Sequence, residues 1–196
     1  MKKIPTVFVR DPEDRRYVTD EVNPGCEWVL AGEGVPTRKY DGTCIRVVNG
    51  ATYEIWARRE VKAGKPAPAG FVAVETDETT GKTVGWEPWH NSSFARFIAE
   101  AQANWTADHP LPDPWHSDLP GGTYELCGPK INGNPEGLDR HALIPHATAT
   151  RIVSLTGASP QDLVRSAAEK GWEGIVWHHP DGRMAKLKAR DLRPPS

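Results

Sequence analysis

Thr37-Arg38-Lys39-Tyr40-Asp41-Gly42-Thr43 sets a lysine two residues ahead of an Asp-Gly pair, behind a Gly-rich approach of Gly32, Gly34 and Pro36. The run that follows, Thr43-Cys44-Ile45-Arg46-Val47-Val48, has the β-branched content of a strand. A lysine amine is a nucleophile only when deprotonated. One placed for chemistry therefore needs a carboxylate to orient it and nearby cations or desolvation to lower its pKa. Asp41 supplies the carboxylate. By itself the quartet describes equally a solvated lysine before a turn, so its meaning depends on what the rest of the chain brings to it.

Working outward, Asn49-Gly50 is a type I′ hairpin signal and predicts Ala51 to Ala57 as the returning strand. With a two-residue turn, Val48 faces Ala51, and counting along the ladder puts Asp41 opposite Arg58. Residues 60–90 read as an elaborated surface flap with a second hairpin, Phe71-Val72-Ala73-Val74 to Lys82-Thr83-Val84. Upstream, residues 4–9 suggest a short strand, Arg10 to Asn23 reads as charged and irregular, and Glu27-Trp28-Val29-Leu30 reads as a strand.

Ser92 or Ser93 can cap a helix whose apolar residues Phe94, Phe97, Ile98 and Ala101 recur at helical spacing. Asp108 to Gly122 is Pro-rich loop, and Thr123-Tyr124-Glu125-Leu126-Cys127 alternates as a strand. Ser159, Pro160, Asp162 and Gly171 give the start and stop of a second helix. Glu173-Gly174-Ile175-Val176-Trp177, a turn at Asp181-Gly182 and Met184 to Lys188 complete a last hairpin. An Asp181-Gly182 two-residue turn pairs Trp177 with Lys186 and Ile175 with Lys188, which puts both lysines on one face with Glu173. An amphipathic hairpin with a solvated charged face would carry the same pattern.

The 196 residues suffice for one large core, and one domain over 1–196 is expected. The 18 glycines and 18 prolines predict many turns and a β-rich α+β fold rather than a helix bundle. With 24 basic and 26 acidic residues the formal charge is -2, which excludes a generally basic nucleic-acid coat and restricts any such contact to a local patch. Cys26, Cys44 and Cys127 are odd in number and lack C-x-x-C spacing, so neither a disulfide framework nor a zinc site is expected. No stretch has the length and apolarity of a membrane span, and the charged sequence after Met1-Lys2-Lys3-Ile4-Pro5 is unlike a signal peptide. A cytoplasmic protein with no membrane contact and no obligate protein partner is expected. Asn91-Ser92-Ser93 matches a glycosylation sequon but reads better as a helix start.

Together these segments supply a nucleophile (Lys39), cations (Arg58, Arg59, Lys186, Lys188) and carboxylates (Glu125, Glu173). That set suits phosphoryl chemistry, which needs cations on the equatorial oxygens and carboxylates to hold a divalent metal through its waters. The stretches Lys39-x-Asp41-Gly42, Arg58-Arg59, Tyr124-Glu125-Leu126-x-Gly128, Glu173-Gly174-Ile175-Val176 and Lys186-x-Lys188, in this order, resemble motifs I, Ia, III, IV and V of the covalent nucleotidyltransferases: ATP-dependent RNA and DNA ligases and mRNA-capping enzymes. Gly128-Pro129-Lys130-Ile131-Asn132-Gly133-Asn134-Pro135-Glu136-Gly137, Leu143-Ile144-Pro145-His146 and Lys3-Ile4-Pro5-Thr6 are more particularly similar to the small single-domain 5′-3′ RNA ligases.

The resemblance implies twisted antiparallel sheets flanked by helices, ATP and Mg2+ as cofactors with Mn2+ as a substitute, and RNA with 5′-phosphate and 3′-hydroxyl ends as partner. It assigns Lys39 as the residue adenylylated, Asp41 as its orienter, and Lys186 and Lys188 to the α-phosphate. Arg58, Arg59 and Glu125 go to the ribose or phosphates, the backbone at Thr37 and Arg38 to the adenine edge, and Glu173 to the metal. No Phe, Tyr or Trp lies between Cys127 and Gly171 to stack on the base, so Ile144 or Ile175 is expected there. Eight residues follow Lys188, too few for the OB-fold of DNA ligases and capping enzymes. RNA would then be gripped through loop cations (Arg10, Arg15, Arg16, Lys62, Lys65, Lys130), with Trp86, Trp89, Trp105 and Trp115 as base-stacking candidates or packing anchors. A DNA ligase, a capping guanylyltransferase and a non-catalytic nucleotide- or RNA-binding module are the alternatives. The histidines, without metal-binding spacing, are read as structural.

Overall fold

The structure, a computed structural model, describes residues 2–109, 119–153 and 157–194. In chain order the elements are β1 (Phe8–Arg10), β2 (Val18–Val22), α1 (Glu27–Leu30), β3 (Val35–Lys39), β4 (Thr43–Asn49), β5 (Tyr53–Val61), β6 (Val72–Thr76), β7 (Thr83–Pro88), α2 (Ala95–Asp108), β8 (Gly122–Cys127), β9 (Ala142–Pro145), α3 (Pro160–Glu169), β10 (Gly174–His178) and β11 (Met184–Lys188). The fold is α+β with antiparallel sheets. It packs as two compact units, Met1–Lys3 with Asp41–Thr148, and Ile4–Tyr40 with Ala149–Ser196, so the division falls between Tyr40 and Asp41. Trp115 and most of the Pro-rich loop read over Asp108 to Gly122 lie outside the described residues.

The unit of Ile4–Tyr40 and Ala149–Ser196 holds a three-stranded sheet in the order β11-β10-β3 and the β1-β2 hairpin. Alternation along β10 and β11 sends Ile175, Trp177, Ala185 and Leu187 into a core with Phe8, Trp28, Val164 and Ala167. Helix α3 covers that core. Ser159 Oγ accepts from the Asp162 backbone N–H at 3.1 Å while the Asp162 carboxylate accepts from Ser159 N, the reciprocal cap expected from the sequence.

Two segments differ from expectation. Glu27–Leu30 is one helical turn, not a strand. Gly25, at φ 84°, turns the chain and Trp28 Nε1 donates to Gly25 O at 2.9 Å, which folds the indole back into the core. Residues 18–22, within the stretch read as irregular, pair with β1.

In the unit of Met1–Lys3 and Asp41–Thr148, six strands run in the order β6-β7-β5-β4-β8-β9. One face presents Ile45, Val47, Ile55, Ala57, Tyr124, Leu126 and Leu143 to Ile98 and Ala101 of α2. Full burial of such a side chain is worth about 1.5–3 kcal/mol. Residues 60–90 are therefore not a flap: they extend this sheet, with β7 paired to β5 along Trp56↔Pro88 through Val61↔Thr83. Trp86 is buried, and Trp89 and Trp105 pack against the core, so these three are packing anchors.

Candidate active site

Lys39 ends β3, and its register places it opposite Gly174, which in turn is opposite Lys188. The next row on the same face is Thr37, Val176 and Lys186. The middle position of the lysine row must be glycine, because a Cβ on Gly174 would lie 2.2 Å from the Leu187 carbonyl oxygen. The Glu173 carboxylate joins the two lysines of this row. Lys39 Nζ donates to Glu173 Oε2 at 2.5 Å and Lys188 Nζ reaches Oε1 at 2.5 Å, while Lys39 Nζ also donates to Tyr40 O at 3.2 Å. Burial pushes the Glu173 carboxyl up, but the charges and hydrogen bonds of Lys39 and Lys188 outweigh it and hold the group below the usual carboxylate range.

This pairing corrects the expected register by one residue. Trp177 faces Ala185 and Ile175 faces Leu187, so Lys186 and Lys188 stand opposite Val176 and Gly174. Ile175, expected beside the base, is fully buried in the core on the other face; Val176 takes its place on the lysine face. Thr37 Oγ1 on that face donates to Val176 O at 3.1 Å and lies 3.1 Å from His178 Nε2. Arg38 points the opposite way, its guanidinium 4.6 Å from the Tyr40 ring centre and 5.0 Å from that of Trp172. Its backbone N–H donates to Thr150 O at 2.8 Å and Ile152 N donates to Pro36 O at 2.9 Å, so residues 150–152 pair along this edge of β3.

In the other unit, Glu125 of β8 sits directly opposite Cys44 of β4. Gly42 N donates to Glu125 Oε1 at 3.1 Å, and a Cβ at Gly42 would lie 2.2 Å from Leu126 O, which accounts for the glycine of the Asp-Gly pair. His146, just past β9, approaches Glu125 Oε2 with Nε2 at 3.0 Å and Thr123 Oγ1 with Nδ1 at 3.0 Å. Asp41 is fixed by the loop 128–137: Asn132 Nδ2 donates to its Oδ1 at 2.9 Å and its backbone N–H donates to Glu136 at 2.9 Å.

The β4-β5 pairing, Ile45↔Ala57 and Val48↔Glu54, is three residues out of the expected register, so Arg58 comes opposite Cys44 and not Asp41. Arg58 thus shares a face with Cys44 and Glu125. Its guanidinium lies 5.4 Å from the Trp86 ring centre, and burial lowers its pKa against the charges of Cys44 and Glu75. Arg59 is exposed on the opposite face. Asn132, Glu136 and Cys44 had no assigned role in the sequence and His146 was read as structural, since only strand pairing and a left-handed turn at Asn132 bring them to Asp41 and Glu125.

Curated proteins match across 65% of the chain, and they carry one name. The chain is similar to RNA ligase 1. The protein of that name from Pongo abelii is 34% identical over 160 residues, covering 65% of this chain and 49% of the relative. Those from Rattus norvegicus and Mus musculus are 32% and 30% identical over 164 and 159 residues, again 65% of this chain and 49% and 48% of theirs. The chain spans about half the length of the curated relatives it matches. No family model matches it. These likenesses support an RNA-ligase reading. Among the described residues no helix is long and apolar enough to cross a membrane.

Proposed function

We propose that the chain is an ATP-dependent RNA ligase with a nucleotidyltransferase fold. The observation that carries the reading is the Lys39–Glu173–Lys188 cluster, a lysine and a second cation sharing one carboxylate, in a chain similar to RNA ligase 1. Lys39 Nζ attacks the α-phosphate of ATP, its N–P bond forming as the bond to pyrophosphate breaks. The AMP then passes to the 5′-phosphate of an RNA end, and a 3′-hydroxyl displaces it to seal the strand. An amine attacks only as the free base. Because one carboxylate holds both ammoniums, release of Glu173 frees Lys39 and Lys188 together, the first to attack and the second, with Lys186, to neutralise the phosphate.

Magnesium keeps most of its waters and is commonly held through one or two carboxylates. The single Glu173 carboxylate fits that donor set, and the bound ion supplies charge neutralisation on the triphosphate. Asp41, steadied by Asn132 and two residues past Lys39 in the chain, is the group proposed to orient the nucleophile; Glu125 and Arg58 are proposed for the ribose or phosphates, and the Thr37 backbone for the adenine edge. None of the three cysteines is in a disulfide, which fits a cytoplasmic location.

Incubation with α-labelled ATP and magnesium is expected to give a labelled adduct stable in base and labile in acid. Lys39→Ala should abolish it, and EDTA should suppress it at least tenfold. Wild-type protein without an adduct, or an undiminished adduct in Lys39→Ala, refutes the proposal. GTP in place of ATP, and nicked DNA beside broken RNA, separate it from a capping enzyme or a DNA ligase.

A further inference from the structure

We propose that Cys44, Glu125 and His146 form a binding site for a transition-metal dication of the zinc class. The Cys44 sulfur, a Glu125 carboxylate oxygen and a His146 ring nitrogen all lie within 4.8 Å of one another. Thiolate, imidazole and carboxylate are the three donor types that zinc takes. Bonds of about 2.0–2.3 Å to a tetrahedral ion set neighbouring donors roughly 3–4 Å apart, so the cluster needs only a small contraction to close on one. Cys26 and Cys127 form no such group among the described residues.

The donors stand on rigid elements. Cys44 and Glu125 are directly opposed across β4 and β8, and His146 follows β9, whose Pro145 pairs with Tyr124 of β8. The outer contacts that orient metal ligands are also in place. Thr123 Oγ1 holds His146 Nδ1 and so aims Nε2 at the carboxylate, while Gly42 N fixes the other oxygen of Glu125. His146 Nε2 and a Glu125 carboxylate oxygen stand 3.0 Å apart, close to the spacing of two donors on one tetrahedral ion. Metal binding would displace the proton of that hydrogen bond. Thiolate and carboxylate together neutralise a dication. Three protein donors leave a fourth position open to water or to an anionic ligand.

The sulfur and nitrogen donors select against magnesium, which takes oxygen ligands. The site is thus distinct in chemistry from Glu173; it shares Glu125 with the proposed nucleotide contact, and its test reads metal binding alone. C-x-x-C spacing is absent because the donors are recruited by cross-strand pairing instead.

Cobalt(II) titrated into the full-length protein is the test. The expected result is a thiolate-to-cobalt charge-transfer band with the intense visible bands of a tetrahedral site, displaced by stoichiometric Zn2+ and untouched by excess Mg2+. Cys44→Ser should abolish the charge-transfer band, and His146→Gln should weaken cobalt affinity at least tenfold. Absence of the band in wild type, or its persistence in Cys44→Ser, overturns the proposal. Because a variant could misfold, the wild-type protein gives an independent readout: Zn2+ should slow iodoacetamide alkylation of Cys44, mapped by mass spectrometry, at least tenfold. An unchanged alkylation rate at Cys44 equally overturns it.

Discussion

Glu173 is the residue on which the lysine cluster depends, and its substitution should not behave like that of its partners. Removing Lys39 or Lys188 leaves the carboxylate one ammonium partner, whereas removing the carboxylate leaves two like charges facing each other across Gly174. Breaking such a pair from the anionic side costs the desolvation of both cations as well as their repulsion. Glu173→Gln is therefore expected to destabilise the protein by about 2 kcal/mol, with Lys39→Met and Lys188→Met each costing less. Urea denaturation monitored by tryptophan fluorescence, with unchanged m-values, checks the order. A lysine variant less stable than Glu173→Gln would show that the carboxylate is not the hub.

At the scale of elements, the strands were legible from β-branched runs, but their registers were not, and one physical cause explains both errors. A type I′ turn needs φ > 0 at both central residues. In the last hairpin Pro180-Asp181 instead occupy the centre of a turn closed by Gly182 N to His179 O, and only Gly182 is left-handed, at φ 93°. That three-residue connection moves Lys188 from Ile175 to Gly174. Likewise Gly50 is not left-handed, and Gly50, Ala51 and Thr52 all lie in the loop between Asn49 and Tyr53. Lys39, Glu173 and Lys188 were still grouped from sequence, and the Glu173 carboxylate reaches both lysines despite the shifted register. Strand β2 was hidden because Asp20 and Glu21 mask its alternation, and β3 because Pro36 interrupts it.

Helix α3, by contrast, could be read to the residue, because capping is a local interaction. Ser159→Ala should cost about 1 kcal/mol in denaturant melts and leave adduct formation intact. Gly174→Ala should lower both stability and adduct formation. Its Cβ meets the Leu187 carbonyl, so β10 and β11 must part, at a cost of roughly 1–3 kcal/mol, and Glu173 moves off Lys39. A Gly174→Ala protein that adenylylates at the wild-type rate would contradict the close approach.

For the molecule as a whole, a formal charge of -2 restricts any RNA contact to local patches, and the structure distinguishes cations in ion pairs from exposed ones. Arg10, expected to touch phosphate, donates to Asp191 at 2.8 Å and to Arg16 O at 3.0 Å, and Arg16 is bound to Asp14 at 2.8 Å. Lys62 and Lys65, in the connection between β5 and β6, and Lys130 are exposed. On a single strand each neutralised phosphate contributes about −0.7 to the slope of log K against log salt. The double variant Lys62→Ala/Lys65→Ala should then flatten the slope for single-stranded RNA by about 1.4, measured by fluorescence anisotropy across a KCl series. Arg10→Ala should lower the melting temperature through loss of the Asp191 pair and leave the slope alone. If the slope follows Arg10 and ignores the two lysines, RNA lies against the other unit's surface, and the grip is built from cations that also hold the fold.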